Sequence, residues 1–358
     1  MRGTWVAIAL CLFGVAIVPQ SAASQPISAE LAGIFSRTGV ETAAVRIETP
    51  AAASMPVIDA HNHLNANIPA EALIQSMDRA GVESMVLMSR HYRGPSDGGQ
   101  ATDEQALDYS RRFPGRFIPL VGGQRDDLGP RSINDSRNVH FVLREFSDKL
   151  GKSDYRGLGE FILVHHAYDV GGGETGGEVR IPVDHDAMRK VAALAAKHRV
   201  PVLFHAEAEE QPAKEAEALF AAFPETSFIW AHACGRASAH ETALRLRRFP
   251  NLMCDLGGMF NGPRTAGGYG KQWPRKTPWV HQVQDDAGRV LPEMKRLFEE
   301  FPDRFMIGTD TAHTAYLKFY EYRIAILRVM LAQLAPEAAR KIGAENARRV
   351  FMKSAGRQ

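Results

Sequence analysis

Eight short apolar runs, each followed by a stretch of helical period, constrain this 358-residue chain more than any other feature. The runs occupy 56–62, 83–89, 117–122, 156–164, 200–206, 227–233, 252–257 and 305–310. Such runs between turn signals read as buried strands, and the segments between them place apolar residues at the spacing of a helix face. AEALIQSMDRAG, DHDAMRKVAALAAKHR and EMKRLFEEFP are examples, several closed by Gly or met by Pro. The alternation predicts an α/β fold, a closed parallel (β/α)8 barrel of the TIM type rather than an open doubly wound sheet. An open sheet of that kind carries a glycine-rich loop after its first strand, where this chain carries His61-Asn62-His63. Two connections exceed simple turns: 168–183, with the cluster GGGETGG, and 257–290, with Arg264, Lys271, Trp273, Arg275, Lys276 and Trp279. Both follow strands and are expected over the C-terminal mouth, the second as a lid over an anionic or aromatic substrate. Helices over about 315–332 and 336–352 are expected to close the chain.

The first 23 residues read as a signal peptide, with Arg2 before the apolar stretch Thr4–Val18 and small residues at Ser21-Ala22-Ala23-Ser24 for cleavage after Ala23. A retained anchor is the competing reading, but the apolar run falls short of a comfortable span. Export, to a bacterial periplasm, is therefore expected, with no membrane association after cleavage. Residues 24–55, rich in Ala, Ser and Pro, read as a linker, and 56–358 as one catalytic domain. A hydrophobic content of 45% against 23% charged residues supports a sizeable core. Loss of the leader removes only Arg2 from 43 basic side chains, leaving 42 against 41 acidic, so no basic field exists to favour nucleic acid. The expected partner is a small-molecule substrate, and a homo-oligomer stays open. The mature chain keeps Cys234 and Cys254, expected as separate buried thiols although a pair across neighbouring strands is conceivable.

Chemistry gathers at the strand ends. Asp59, His61 and His63 close PVIDAHNH, His205 closes PVLFHAE, His232 closes SFIWAHACG and Asp310 closes FMIGTDTAH. Residues two apart on a strand face one side, so His61 and His63 point together. Catalytic zinc keeps about three protein ligands from imidazole and carboxylate and leaves a position for water, whose pKa it lowers. His61, His63 and His205 supply neutral nitrogens, and Asp310 either ligates or takes the water's proton. His232 has three candidate roles: orienting the substrate, general acid–base catalysis, or binding a second ion. Asp59 is placed to brace a ligand histidine from behind. One histidine on a strand is ordinarily a hydrogen-bonded core residue, but four gathered at the ends of three strand signals are not.

The order HxH, His, His, Asp on strands one, five, six and eight resembles the amidohydrolase superfamily. More narrowly, it resembles the amidohydrolase-related family that includes aminocarboxymuconate semialdehyde decarboxylase and several lactone hydrolases. IDAHNH, FIWAHACG, MIGTDTAH and the closing GAENARRVF carry the likeness over about 56–353. It implies a barrel with a divalent metal, zinc first, held by His61, His63, His205 and Asp310, with His232 assisting proton transfer. No lysine ends the fourth strand signal, so the carbamylated-lysine, two-metal centre of some relatives is not expected. Glu160 lies in that strand instead, and in other relatives a glutamate at a similar place binds or bridges metals. It is either a ligand or a satisfied core acid, and with it stands the choice between one ion and two.

Other candidates are weaker. Glu207 shares the face of His205 and is placed to line the site, while Arg90, Arg125 and Arg236 follow strand ends, where an arginine clamps a substrate carboxylate or lies at the surface. His165 and His166 end strand four. Asn134-Asp135-Ser136 matches a glycosylation sequon. The set predicts a metal-dependent hydrolase attacking an amide, ester or lactone carbonyl, with Asp310 and His232 catalytic. The alternatives are a non-oxidative decarboxylase on the same scaffold and a metal-binding protein without turnover.

Overall fold

The computed structural model describes residues 55–65, 68–90, 101–125, 133, 139–152, 154–166, 178–259, 281–285, 288–311 and 317–352. The leader, the linker as far as residue 54, the sequon and most of both long connections lie outside these residues.

The first strand comes in two pieces, β1 (Ile58–Asp59) and β2 (His63–Leu64). It is followed by β3 (Ser84–Ser89), β4 (Phe117–Leu120), β5 (Leu158–His165), β7 (Val202–Ala206), β8 (Phe228–Trp230), β9 (Leu252–Asp255) and β10 (Phe305–Met306). Pairing is parallel from β1 and β2 to β3, from β3 to β4, and stepwise from β5 through β7, β8 and β9 to β10. Two sets of backbone hydrogen bonds join these halves. Val121 N–H donates to Gly157 O and Gly159 N–H to Val121 O, both at 3.0 Å, linking β4 to β5. Ala60 N–H donates to Ile307 O at 3.0 Å and Asp310 N–H to His61 O at 2.8 Å, linking the last strand to the first. With both seams joined, the parallel strands close into the barrel that the alternation of runs predicts. A short β6 (Val179–Arg180) pairs antiparallel with β5, an addition inside the first long connection that the sequence did not announce.

Helices fill the outside as their apolar stripes require. α1 (Ala70–Ala80) turns Leu73 and Met77 inward and ends at Gly81, whose φ of 66° suits a left-handed cap. α2 (Asp103–Arg112), α3 (Val139–Lys152), α4 (Asp186–His198), α5 (Glu210–Ala222), α6 (Ala239–Arg248) and α7 (Pro292–Glu300) follow successive strands. α6 opens with a full capping box between Ser238 and Glu241. α8 (Tyr320–Ala332), α9 (Pro336–Arg340), a single π turn (Lys341–Glu345) and α10 (Asn346–Phe351) complete the chain. A second core fills the barrel interior, with Ile58, Val86, Ile118, Leu203, Ile229, Met253 and Met306 converging from successive strands and Phe351 closing the lower end.

Cys234 and Cys254 correct the sequence expectation: they form a disulfide. Trp230 lies opposite Cys254 in the β8–β9 ladder, and the chain after Trp230 curls back so that the two Cα atoms stand 4.9 Å apart. That separation is within bridging range, and a count of residues cannot reveal it.

Candidate metal centre

The strand ends deliver their side chains to one point. His61 and His63 flank the break between β1 and β2, and their rings lie 5.3 Å apart. Glu160, in the middle of β5, reaches both. Its Oε2 is 3.7 Å from His61 Nε2 and 3.4 Å from His63 Nε2. Its Oε1 is 3.3 Å from His205 Nδ1 and 3.5 Å from His232 Nε2. Asp310 Oδ1 closes the near side at 3.4 Å from His63 Nε2 and 3.7 Å from His61 Nε2. All six residues are buried. Two groups of potential ligands result, His61–His63–Glu160 and Glu160–His205–His232, sharing one carboxylate.

Contacts on the far side of three of the rings, those of His61, His232 and His205, fix what each offers here. His61 Nδ1–H donates to Asp255 Oδ2 at 3.0 Å, so a neutral His61 points a lone pair from Nε2. His232 Nδ1–H donates to Gly257 O at 2.7 Å, again freeing Nε2. His205 Nε2 faces Glu207 Oε1 at 3.4 Å, which turns Nδ1 inward. His232 Nε2 and His205 Nδ1 then stand 2.9 Å apart, two lone pairs aimed at the same place. Such a pair requires a proton or a cation between the rings. His61 Nε2 and Glu160 Oε1 are both buried without a hydrogen-bond partner. Neutral imidazoles tied from behind, plus carboxylates with open lone pairs, are the donor set of a divalent metal site, so these residues fit the ion that the resemblance implies.

The charges agree. Burial alone would lower the His61 imidazole, but Asp255 and Glu160 beside it raise it well above its ordinary range. Burial would raise the Glu160 carboxyl, yet the charge of His61, with the His205 and His232 rings facing it, brings it well below the usual carboxylate range. Asp310 is likewise brought down against burial by His63, His61 and His232. Burial, with the charges of Arg236 and His205 adding to it, pushes His232 down to about 4. The pocket thus holds ionised carboxylates and a histidine that stays unprotonated at neutral pH.

His232 and Asp310, like His61, do not lie on strands as expected. β8 stops at Trp230, and His232, Ala233, Cys234 and Gly235 follow with φ between 53° and 71°. Asp310 has φ 48°. Left-handed backbone costs a side-chain-bearing residue about 1–2 kcal/mol, so neighbours must hold these positions. Asp310 is held from both sides, its N–H by His61 O and its carbonyl by Arg323 Nη1 at 3.1 Å, which also takes Thr309 O. Space is equally tight at His61, where a Cβ on Gly308 would lie 2.5 Å from the His61 Cβ.

Several expectations are corrected. Asp59 does not brace an imidazole. Its carboxylate accepts from Thr309 N–H at 2.9 Å, Thr309 Oγ1 at 2.7 Å and Asn62 Nδ2 at 2.9 Å, so it joins the first strand to the last. Asp255 supplies the brace, a residue the sequence reading passed over although it too ends an apolar run. Glu207 and Arg236 pair with each other at 2.6 Å, both fully buried, with Glu207 Oε1 3.4 Å from His205 Nε2. Arg125 is buried with its Nη1 on Glu145 Oε2 at 2.7 Å, which ties the guanidinium to the scaffold. His166 bonds Glu209 rather than facing the centre, while the His165 ring lies 5.1 Å from that of His205. Gln124, unforeseen, donates to Glu160 Oε2 at 3.1 Å. The basic lid residues 264–279 lie outside the described residues.

Solved structures share this fold at low sequence identity. The phosphotriesterase homology protein from Escherichia coli, complexed with phosphate, is similar with a TM-score of 0.52 at 12% identity, covering 84% of this chain and 99% of its own. An amidohydrolase from Burkholderia multivorans with bound zinc gives 0.50 at 14% identity, covering 83% and 99%. 4-Oxalomesaconate hydratase from Rhodopseudomonas palustris gives 0.50 at 15% identity, covering 83% and 95%. No curated protein matches by sequence. The amidohydrolase family model matches residues 43–353, and over that span the barrel and its cluster of strand-end histidines and carboxylates belong to this chain as a member of the amidohydrolase family.

Proposed function

We propose that this chain is an exported hydrolase with two divalent ions, most simply zinc, that cleaves an amide, ester or lactone with water. The observation that carries the reading is the pair of ligand groups meeting at Glu160. His61, His63 and Asp310 would hold one ion, His205 and His232 the other, with one Glu160 oxygen toward each. When bound, such a pair would supply Lewis acidity that polarises a carbonyl and lowers the pKa of a bound water.

The remaining work falls to side chains of the chain. Asp310 stands at the rim of the cluster with its carboxylate ionised, placed to take a proton from the attacking water. The water oxygen bonds to the carbonyl carbon, the carbon–nitrogen or carbon–oxygen bond breaks, and Asp310 returns the proton to the leaving group. His232 is not the acid in this scheme, because its Nδ1–H is committed to Gly257 and its Nε2 faces Glu160. Its role shifts from proton transfer to ligation. Burial of the cluster keeps competing water out and strengthens each charge interaction.

Decarboxylation on the same scaffold needs one cation to hold the substrate and leaves the second ligand group without a task, which favours hydrolysis. The test is a panel of lactones, esters, amides and carboxylated aromatics assayed with the zinc-loaded protein for hydrolysis and for carbon dioxide release. Hydrolysis is expected, with Asp310→Asn lowering kcat by about 10²–10⁴-fold. Carbon dioxide release without hydrolysis would overturn the reading.

A further inference from the structure

The turn that carries His232 is tied into the barrel on three sides. Trp230 Nε1–H, at its start, donates to Ala206 O of β7 at 2.7 Å, and Ala208 N–H donates to Gly235 O at 3.0 Å. Cys234, two residues past His232, is bonded to Cys254 of β9, whose next residue is Asp255. Asp255 Oδ1 in turn accepts from His232 N–H at 3.2 Å. Arg236 ends the turn with φ 62° and sends Nη1 to Glu207 Oε1 at 2.6 Å, and the same oxygen lies 3.4 Å from His205 Nε2. The disulfide therefore fixes the segment bearing one ligand, and the ion pair fixes the carboxylate behind the other. Neither reaches His63 or Asp310, which are held by β2 and by Arg323.

We propose that the Cys234–Cys254 disulfide and the Glu207–Arg236 ion pair form a positioning clamp dedicated to the His205–His232 half of the centre. Glu207, Arg236 and the two cysteines are positioning residues, since they act through the two histidines. The clamp sets occupancy of that half. Its connection to the His61–His63–Asp310 half runs through Asp255, which follows Cys254 and holds His61 Nδ1 at 3.0 Å, so that half changes far less. This inference rests on the two-ion reading above.

The test is zinc titration against a competing chromophoric chelator, with thermal melts alongside, on three full-length proteins: wild type, Cys234→Ala/Cys254→Val, and Glu207→Gln. Glu207→Gln keeps volume and an acceptor, so it guards against a cysteine variant that fails for reasons of folding. The expected result is two zinc ions per wild-type chain. In each variant one site loses about 10–100-fold in affinity, the other stays within about twofold, and unfolding stays cooperative. Two ions bound by the wild type, with variants that retain both affinities, lose both together or lose cooperative unfolding, would overturn the clamp while leaving the two-ion reading intact. One ion bound by the wild type would overturn the two-ion reading and the clamp with it.

Discussion

Asp255 stands behind the cluster, yet its carboxylate decides which nitrogen His61 presents. Replacing it with Asn keeps a hydrogen-bonding side chain but removes the charge that favours the Nδ1–H tautomer. Asp255→Asn should lower zinc affinity by about 10–100-fold, read by chelator competition. The titrating groups give a second expectation. His61 lies above its ordinary value of 6.5 in the metal-free protein, so its contribution to stability is complete below that value. It is lost as pH rises through the raised one. Glu160 and Asp310 run the opposite way. Depressed below their ordinary 4.5 and 3.8, they contribute at neutral pH and lose that contribution only as pH falls through the depressed values. A cation must displace the His61 proton, so the rise in Tm on adding zinc should grow between about pH 5.5 and 8. A rise independent of pH over that window would show that His61 carries no proton there.

At the level of elements, the site depends on how strands end. Apolar runs announced nearly every strand because a barrel strand is buried on both faces, and the eight runs match the observed elements within a few residues. The ends were less legible. Nothing in SFIWAHACG states that extended backbone stops at Trp230, since the left-handed turn beyond is imposed by contacts with β7 and β9. The ligand histidines and Asp310 were readable because imidazole and carboxylate at the ends of apolar runs have few other uses. Asp255, Gln124 and the Glu207–Arg236 pair were not, because only the three-dimensional arrangement decides which carboxylate backs which ring. Arg323, in the first turn of α8, shows the same limit: its buried guanidinium donates to the carbonyls of Thr309 and Asp310. Arg323→Met leaves those acceptors without this donor and should cost about 1–3 kcal/mol in denaturant unfolding, along with weaker zinc binding. Gly308→Ala drives a Cβ against His61 and should reduce zinc affinity more than it reduces stability.

For the whole molecule, the closing of the barrel brings residues separated by as much as 249 positions, His61 and Asp310, to 3.7 Å. If the proposed ligands, drawn from five strands and their ends, hold an ion, it binds the folded chain and scarcely binds the unfolded one. Free zinc at about 100 times its Kd should therefore stabilise the protein by about 2.7 kcal/mol, and chelation should remove that increment. Family and fold were legible because they reside in the periodic part of the chain. The substrate was not, because specificity on this scaffold belongs to the connections over the mouth, and those do not follow from strand and helix patterning. The central claim is that the strand ends build two adjacent cation sites with Glu160 between them. It is tested most directly by a crystal structure of the zinc-loaded protein with diffraction recorded at the zinc absorption edge. Two anomalous peaks are predicted, one within bonding reach of His61, His63 and Glu160 and one of Glu160, His205 and His232. A fully loaded crystal with no peak near these residues, or with Glu160 bonded to neither ion, would contradict the account.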